Sequence, residues 1–280
     1  MSKSGSISLQ ALRDNTRETG ESNAQIIDAL EAALNVKDDA LIPQAAKRLA
    51  EQLDSIILTR DDPADMQSEI ENARYSVYTT LLAAVQLVPA DCKAHQRLAL
   101  VLRDLAGLEG HPAWQCLEGF AICNRDAWQD PTLSIESVTD PEVHEQWCNL
   151  NAFLATLLGT GAINWRELPI WELRDGLEES VEELSQEGKD TRVVVATLWI
   201  KHAGKFIWDH SLSGKPENLN ETDSRMLRAG ELYQGQPGYS RDRWDFWKKR
   251  LGELRSHVSE LRRSTIDEAI MTMAELEGNN

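Results

Sequence analysis

The stretch YSRDRWDFWKKRLGEL, Tyr239 to Leu254, crowds Trp244, Phe246 and Trp247 among arginines and lysines. From Ser240, a natural helix N-cap, the apolar positions run Trp244, Trp247, Leu251, Leu254, Val258 and Leu261, spaced 3, 4, 3, 4 and 3. This is the a/d seam of a helix packed lengthwise on another. The basic side chains fall mostly off that stripe. Between Arg241 and Arg263 the chain carries eight basic and four acidic groups. An opposite partner lies upstream: WELRDGLEESVEELSQE, Trp171 to Glu187, holds seven acids and one arginine. The spacing therefore predicts aromatics that join helices, with exposed charge pairs between the two segments setting their orientation. The same seam could instead join two copies of the chain.

Outward from this seam, helical periodicity continues. Ser22 to Gln25 fits a capping box ahead of Ile26, Ile27, Leu30 and Leu34. Ile42 to Ile57 keeps helical spacing, and Asp62-Pro63 opens a helix that stops at Pro89. Asp91 caps a further helix that ends near Gly107, and Asp140-Pro141 opens one that stops at Gly159. Two more run through Leu173–Leu184 and Val194–Ile207. Only RVVVATLWI is β-branched enough for a strand, and it sits inside a helical pattern. The expected fold is all-α, an irregular multi-helix bundle or array of about eight to ten helices without a sheet. Its expected division is a flexible segment 1–20, a helical subdomain 21–107, a loop-rich connection 108–139 and a helical subdomain 140–276.

The 280 residues include 29 basic and 46 acidic groups, a formal net charge of −17. Nucleic acids and anionic membrane surfaces both select for a basic face, so neither is an expected partner. No apolar run approaches the ~20 residues of a membrane span, and the N-terminus reads as no signal peptide. Cys92, Cys116, Cys123 and Cys148 lack CxxC spacing and read as free thiols in a reducing, cytoplasmic setting.

Few residues suggest chemistry. DDPAD, Asp61 to Asp65, matches the carboxylate motif by which terpene synthases hold Mg²⁺, yet reads better as a helix cap and first turn. Cys92 with His95 could make an activated thiol; the plainer reading is a buried cysteine beside a surface histidine. His144 and Cys148 could supply half a metal site, but no second pair has suitable spacing, so no metal and no cofactor are expected. His202 and His210 flank AGKFIWD on one helix. The sharpest site hypothesis is a pocket lined by Trp165, Trp171, Trp199, Trp244 and Trp247, with His202 as its polar group. Against it, aromatics at helical spacing belong more often to a core.

At NWRELPIWELRDGLE (Asn164–Glu178), HAGKFIWD (His202–Asp209) and YSRDRWDFWKKRLGEL (Tyr239–Leu254), the sequence resembles a fungal family known as domain of unknown function 3632. The resemblance lies in the C-terminal half. It implies a helical, cytosolic, fungal protein and supplies no catalytic residue; Pro169 departs from its pattern at a helix start. Two functions are consistent with these readings. The first is a non-enzymatic interaction or adaptor module that offers a helical groove or acidic face to a protein partner, or to itself. The alternative is a binder or enzyme for a hydrophobic small molecule in the tryptophan-lined pocket.

Overall fold

The computed structural model describes residues 6–15, 21–57, 66–133, 140–212 and 219–278, and among them there are helices and turns but no strand. Twelve α-helices occur: α1 (Gln10–Asn15), α2 (Glu21–Leu34), α3 (Ile42–Ile57), α4 (Met66–Gln86), α5 (Lys93–Ala106), α6 (Phe120–Ala127), α7 (Pro141–Gly159), α8 (Glu167–Leu173), α9 (Gln186–Leu212), α10 (Glu221–Met226), α11 (Arg241–Leu254) and α12 (Arg263–Gly278). The all-α expectation holds. The count exceeds eight to ten because α1, α6, α8 and α10 are only 6 to 8 residues long. Two turns carry too few apolar positions for a period to show. Ser22 lies inside α2 rather than at its cap, and its side chain falls outside the described residues, as does the DDPAD motif.

The chain forms two compact units, residues 1–129 with 160–163 and residues 130–159 with 164–280. In the first, α2 and α3 pack on α4 and α5. Residues 112–117 form a 3₁₀ segment, and α6 follows; both lie against this four-helix core. Trp114, fully buried, donates its indole N–H to Asp54 of α3 at 2.7 Å and meets Tyr78 of α4 edge-on. Part of the stretch expected to be a loop-rich connection is thus folded onto the first unit.

In the second unit α9 is the axis. It has buried positions around its whole circumference and touches α7, α8, α11 and α12. An apolar helix on all sides belongs inside a bundle, which is why RVVVATLWI stays helical despite its valines. Asp140 accepts a hydrogen bond from the Glu142 N–H at 3.0 Å, the predicted start of α7. At the other end of α7, a Cβ on Gly159 would sit 2.2 Å from the main-chain oxygen of His202 on α9. The glycine therefore permits the closest approach of the two helices as well as ending α7.

Three expectations fail here. The helix predicted through Leu173–Leu184 breaks: α8 runs into a π turn at Arg174–Glu178 and the chain then leaves the helix. Helix α11 stops at Leu254 rather than carrying the seam to Leu261: Val258 beyond it is still buried, but Leu261 is 87% exposed. The cause is a catch on α9: Asp190 accepts the Ser259 N–H at 2.9 Å, and Gln186 donates to the His257 carbonyl at 3.0 Å. Finally, α5 begins after Cys92, not Asp91, with no side-chain cap.

Gly159→Ala should cost about 1–3 kcal/mol through overpacking. Gly252→Ala, in α11 with nothing near its Cβ position, should gain about 0.5–1 kcal/mol. Denaturant midpoints of the two variants test the helix contact, and equal midpoints would refute it.

Candidate functional site

The π turn exists because Glu178 is drawn inward. A main-chain bond from Glu179 N–H to the Arg174 carbonyl, 3.0 Å, closes the wider turn. Glu178 and Arg243 are both entirely buried. Arg243 lies in the first turn of α11, which Ser240 caps by accepting the Arg243 main-chain N–H at 3.1 Å. All five guanidinium N–H groups are used. Nε donates to Glu178 Oε1 at 2.6 Å, and Nη2 to Glu178 Oε2 at 3.0 Å and the Arg228 carbonyl at 2.8 Å. Nη1 donates to the carbonyls of Leu227 and Gly238, both at 2.9 Å.

The carboxylate is equally saturated. Its Oε1 also accepts the Trp247 indole N–H at 2.6 Å, and its Oε2 the Gly230 N–H at 2.8 Å. The Glu178 carbonyl takes the Leu232 N–H at 2.8 Å. Gly230 has to lack a side chain, because its Cβ would fall 2.7 Å from that of Glu178. A charged pair out of water is tolerated only with such complete hydrogen bonding. Nothing in this centre is open to a ligand, so its chemistry is structural. The expected pairing of the acidic and basic segments occurs, but as one buried clamp rather than a set of exposed pairs. The outer cations of α11 pair within the helix, as Arg241 does with Asp245, or with α12, as Lys248 does with Glu277 at 2.7 Å.

The sequence-predicted pocket residues are placed as follows. Trp199, Trp244 and Trp247 have no exposed surface, and each indole N–H goes to a different side chain: Asn151 at 2.8 Å, Glu277 at 2.9 Å and Glu178. Burying each removes ~150–250 Å² from water, several kcal/mol apiece. Trp171 is half-buried and donates to the Met226 carbonyl at 2.8 Å; Trp165 is half-buried. His202 is half-buried, and desolvation, helped by the Lys201 charge, lowers its pKa to about 4. Trp208, within AGKFIWD but outside the predicted pocket, packs on Trp244 with centroids 5.0 Å apart and lies under the Arg241 guanidinium.

Other candidates resolve individually. The burial of Cys92 and His95 is the reverse of the expected arrangement, with Cys92 half-buried and His95 buried, its Nε2 3.3 Å from the Val85 carbonyl. His144 Nδ1 lies 2.8 Å from the Thr191 hydroxyl, joining α7 to α9. Desolvation pushes the Cys148 thiol up to about 12, far from the thiolate a metal needs. His210 hydrogen-bonds within its own helix to the Phe206 carbonyl at 2.8 Å. Burial, then the charges of Asp175 and Asp130, holds the Glu172 carboxyl well above the usual range. Among the described residues no cluster of three or more His, Cys, Asp or Glu is arranged to hold a metal ion, and no helix is long and apolar enough to cross a membrane.

Two open clefts lie among the described residues, and neither is lined by any of the six predicted pocket residues. One, of about 440 Å³, lies in the second unit between the end of α9 and the start of α11, beside Tyr233, Pro237, Tyr239 and Arg241. The other, of about 650 Å³, is a groove along α2 and α3 in the first unit. Its α2 wall is Ala29, Ala32 and Ala33, with Val36 just past the end of the helix. Its α3 wall includes Leu41, Ala45, Arg48 and Leu49. Leu41 is 47% exposed at its edge.

Glu178→Gln should destabilise by about 3–5 kcal/mol, since it strands Arg243 without a counter-charge. Adding Arg243→Met should not restore stability, because the Arg228 and Gly238 carbonyls then lose the Arg243 donors and the Leu227 carbonyl keeps only the Gly238 N–H. Denaturation within ~1 kcal/mol of the parent for either variant contradicts the clamp. His202 makes a separate prediction. Its folded pKa lies below the unfolded value near 6.5, so the unfolded state binds the proton first. Its contribution to stability is complete above pH ~6.5 and is lost as pH falls towards ~4. His202→Gln should flatten the thermal midpoint across that window, and an unchanged pH profile would refute the assignment.

No curated protein and no solved structure matches the chain. A family sequence model does, over residues 78–251, from the middle of α4 to Leu251 of α11. That span reaches well beyond the C-terminal stretches that carried the resemblance and encloses both Glu178 and Arg243, while α2, α3 and α12 lie outside it. On this match the chain belongs to the family described as Protein of unknown function (DUF3632).

Proposed function

We propose that this protein is a non-enzymatic, cytoplasmic interaction module of a fungal cell that receives a segment of a protein partner in the groove along α2 and α3. The observation that carries the reading is the groove itself, about 650 Å³ between two helices that pack on α4 and α5: Ala29, Ala33, Val36 and Leu49 close its floor, while Ala32 and Leu41 are exposed and Ala45 is half-buried along it. A concave groove with exposed apolar side chains at its lip is a usual place for a partner to dock. The residues that could have served catalysis argue the same way. Glu178 and Arg243 have no hydrogen-bonding capacity to spare, and three of the five pocket tryptophans have no surface. The alternative, a binder or enzyme for a hydrophobic small molecule, rests on the 440 Å³ cleft, whose size and tyrosine lining suit a modest ligand.

Native mass spectrometry on gently purified protein, followed by chemical cross-linking, separates the two. The interaction reading expects a co-purifying protein whose cross-links fall on residues 29–55. A retained small molecule that disappears on Tyr239→Ala would overturn it in favour of the alternative.

A further inference from the structure

We infer that the occupant of the α2–α3 groove is an amphipathic helix with acidic residues along its edges. This rests on the interaction reading above and adds the chemistry of the partner. A helix is the form that fits. The groove offers side chains and no free sheet edge, so an extended segment would bring backbone donors and acceptors to an apolar floor without partners, whereas a helix satisfies its own. Ala29, Ala32, Ala33 and Ala45 allow the close spacing at which helices pack, about 8 Å between axes. The lining runs over residues 29–37 and 41–55, so the α3 side offers about 20 Å of length at the helical rise and the α2 side about 10 Å.

Charge selects which helix. The groove's lining holds Lys37, Arg48 and Glu51 as its charged groups. Glu51 is paired with Lys47 at 3.8 Å, while among the described residues Lys37 and Arg48 have no ion-pair partner. Of the neighbouring acids, Asp28 and Glu31 are paired with Arg13 and Asp39 with Arg97, while Asp38, outside the lining, accepts the Ala40 N–H and keeps its charge. The remaining lining, Gln44, Gln52 and Ser55 among it, is neutral. Two exposed, unpaired cations beside an apolar floor stand out in a chain with 46 acids to 29 bases. The chain's overall −17 does not cancel them, since charges beyond ~8 Å are largely screened at physiological salt.

The test uses the full chain and two labelled synthetic helices of roughly 16 residues, the length of the groove. Both have an Ala/Leu face; one is edged with glutamates, its twin with lysines. Fluorescence anisotropy should show the acidic peptide binding more tightly, with hydrogen-exchange protection confined to residues 29–55. Lys37→Glu with Arg48→Glu should weaken that peptide by about tenfold and reverse the preference. Ala32→Arg, also at an exposed position, should abolish binding of both peptides, and unchanged circular dichroism would show that each variant folds. Equal binding of the twins, no binding of either, indifference to charge reversal, or protection elsewhere would overturn the inference. So would self-association of the protein that Ala32→Arg abolishes, which would give the groove to a second copy. If a cellular protein still cross-links to the chain when the peptides fail, the acidic helix alone is refuted; if no protein partner is found either, the interaction reading falls with it.

Discussion

The ion pair between Arg243 and Glu178 is the constraint around which the second unit is arranged. A guanidinium and a carboxylate taken fully out of water cost several kcal/mol each in lost hydration, and their attraction offsets that only when every remaining donor and acceptor is met. Here every one is. Meeting them dictates local structure at three places, one at Glu178 and two neighbouring ones far along the chain. The chain before Glu178 widens into a π turn, the segment 227–238 offers three carbonyls and one N–H, and α11 starts where Ser240 can hold Arg243 in place. The absence of a side chain at Gly230 follows from the same geometry.

The aromatics divide the remaining work. Trp247 adds its indole to the clamp, Trp244 ties α11 to α12 through Glu277, and Trp199 ties α9 to α7 through Asn151. Each tryptophan thus combines a large apolar contact with one directed bond, which fixes register as well as burial. In the first unit Trp114 does the same between the 3₁₀ segment and α3. Charges on the outside are left to pair locally, where they contribute little to stability. The open groove on α2 and α3 is a different kind of surface, with alanines at its floor and polar and charged side chains at its edges, and it lies outside the span shared with the family.

Much of this was legible in the residues. Ser240 as a cap, the seam from Trp244 to Leu254, Asp140-Pro141 at the head of α7 and the helical class all follow from local rules that the fold obeys. What was illegible depends on tertiary contact. Nothing near Arg243 announces that a cation between apolar positions is buried, because periodicity reports apolar faces and is blind to a charge with a distant partner. The break after Leu173 was hidden for the same reason: the acidic run keeps helical spacing, and the pull on Glu178 comes from 65 residues away. Leu261 kept the heptad phase while the Asp190 and Gln186 contacts had already turned the chain. Of the candidate pocket residues, Trp199, Trp244 and Trp247 are buried in the way helical spacing expects of a core, while Trp165 and Trp171 are half-buried. The groove, by contrast, is built of alanines, which carry almost no signal in a hydrophobic pattern.

The most direct measurement is native-state hydrogen exchange at the Gly230 and Leu232 amides, both of which donate to Glu178 from a segment with no helix of its own. If the clamp organises the second unit, these loop amides exchange only on global unfolding, with the same denaturant dependence as the core of α9. Exchange through a local opening, fast and insensitive to denaturant while α9 stays protected, would contradict the account.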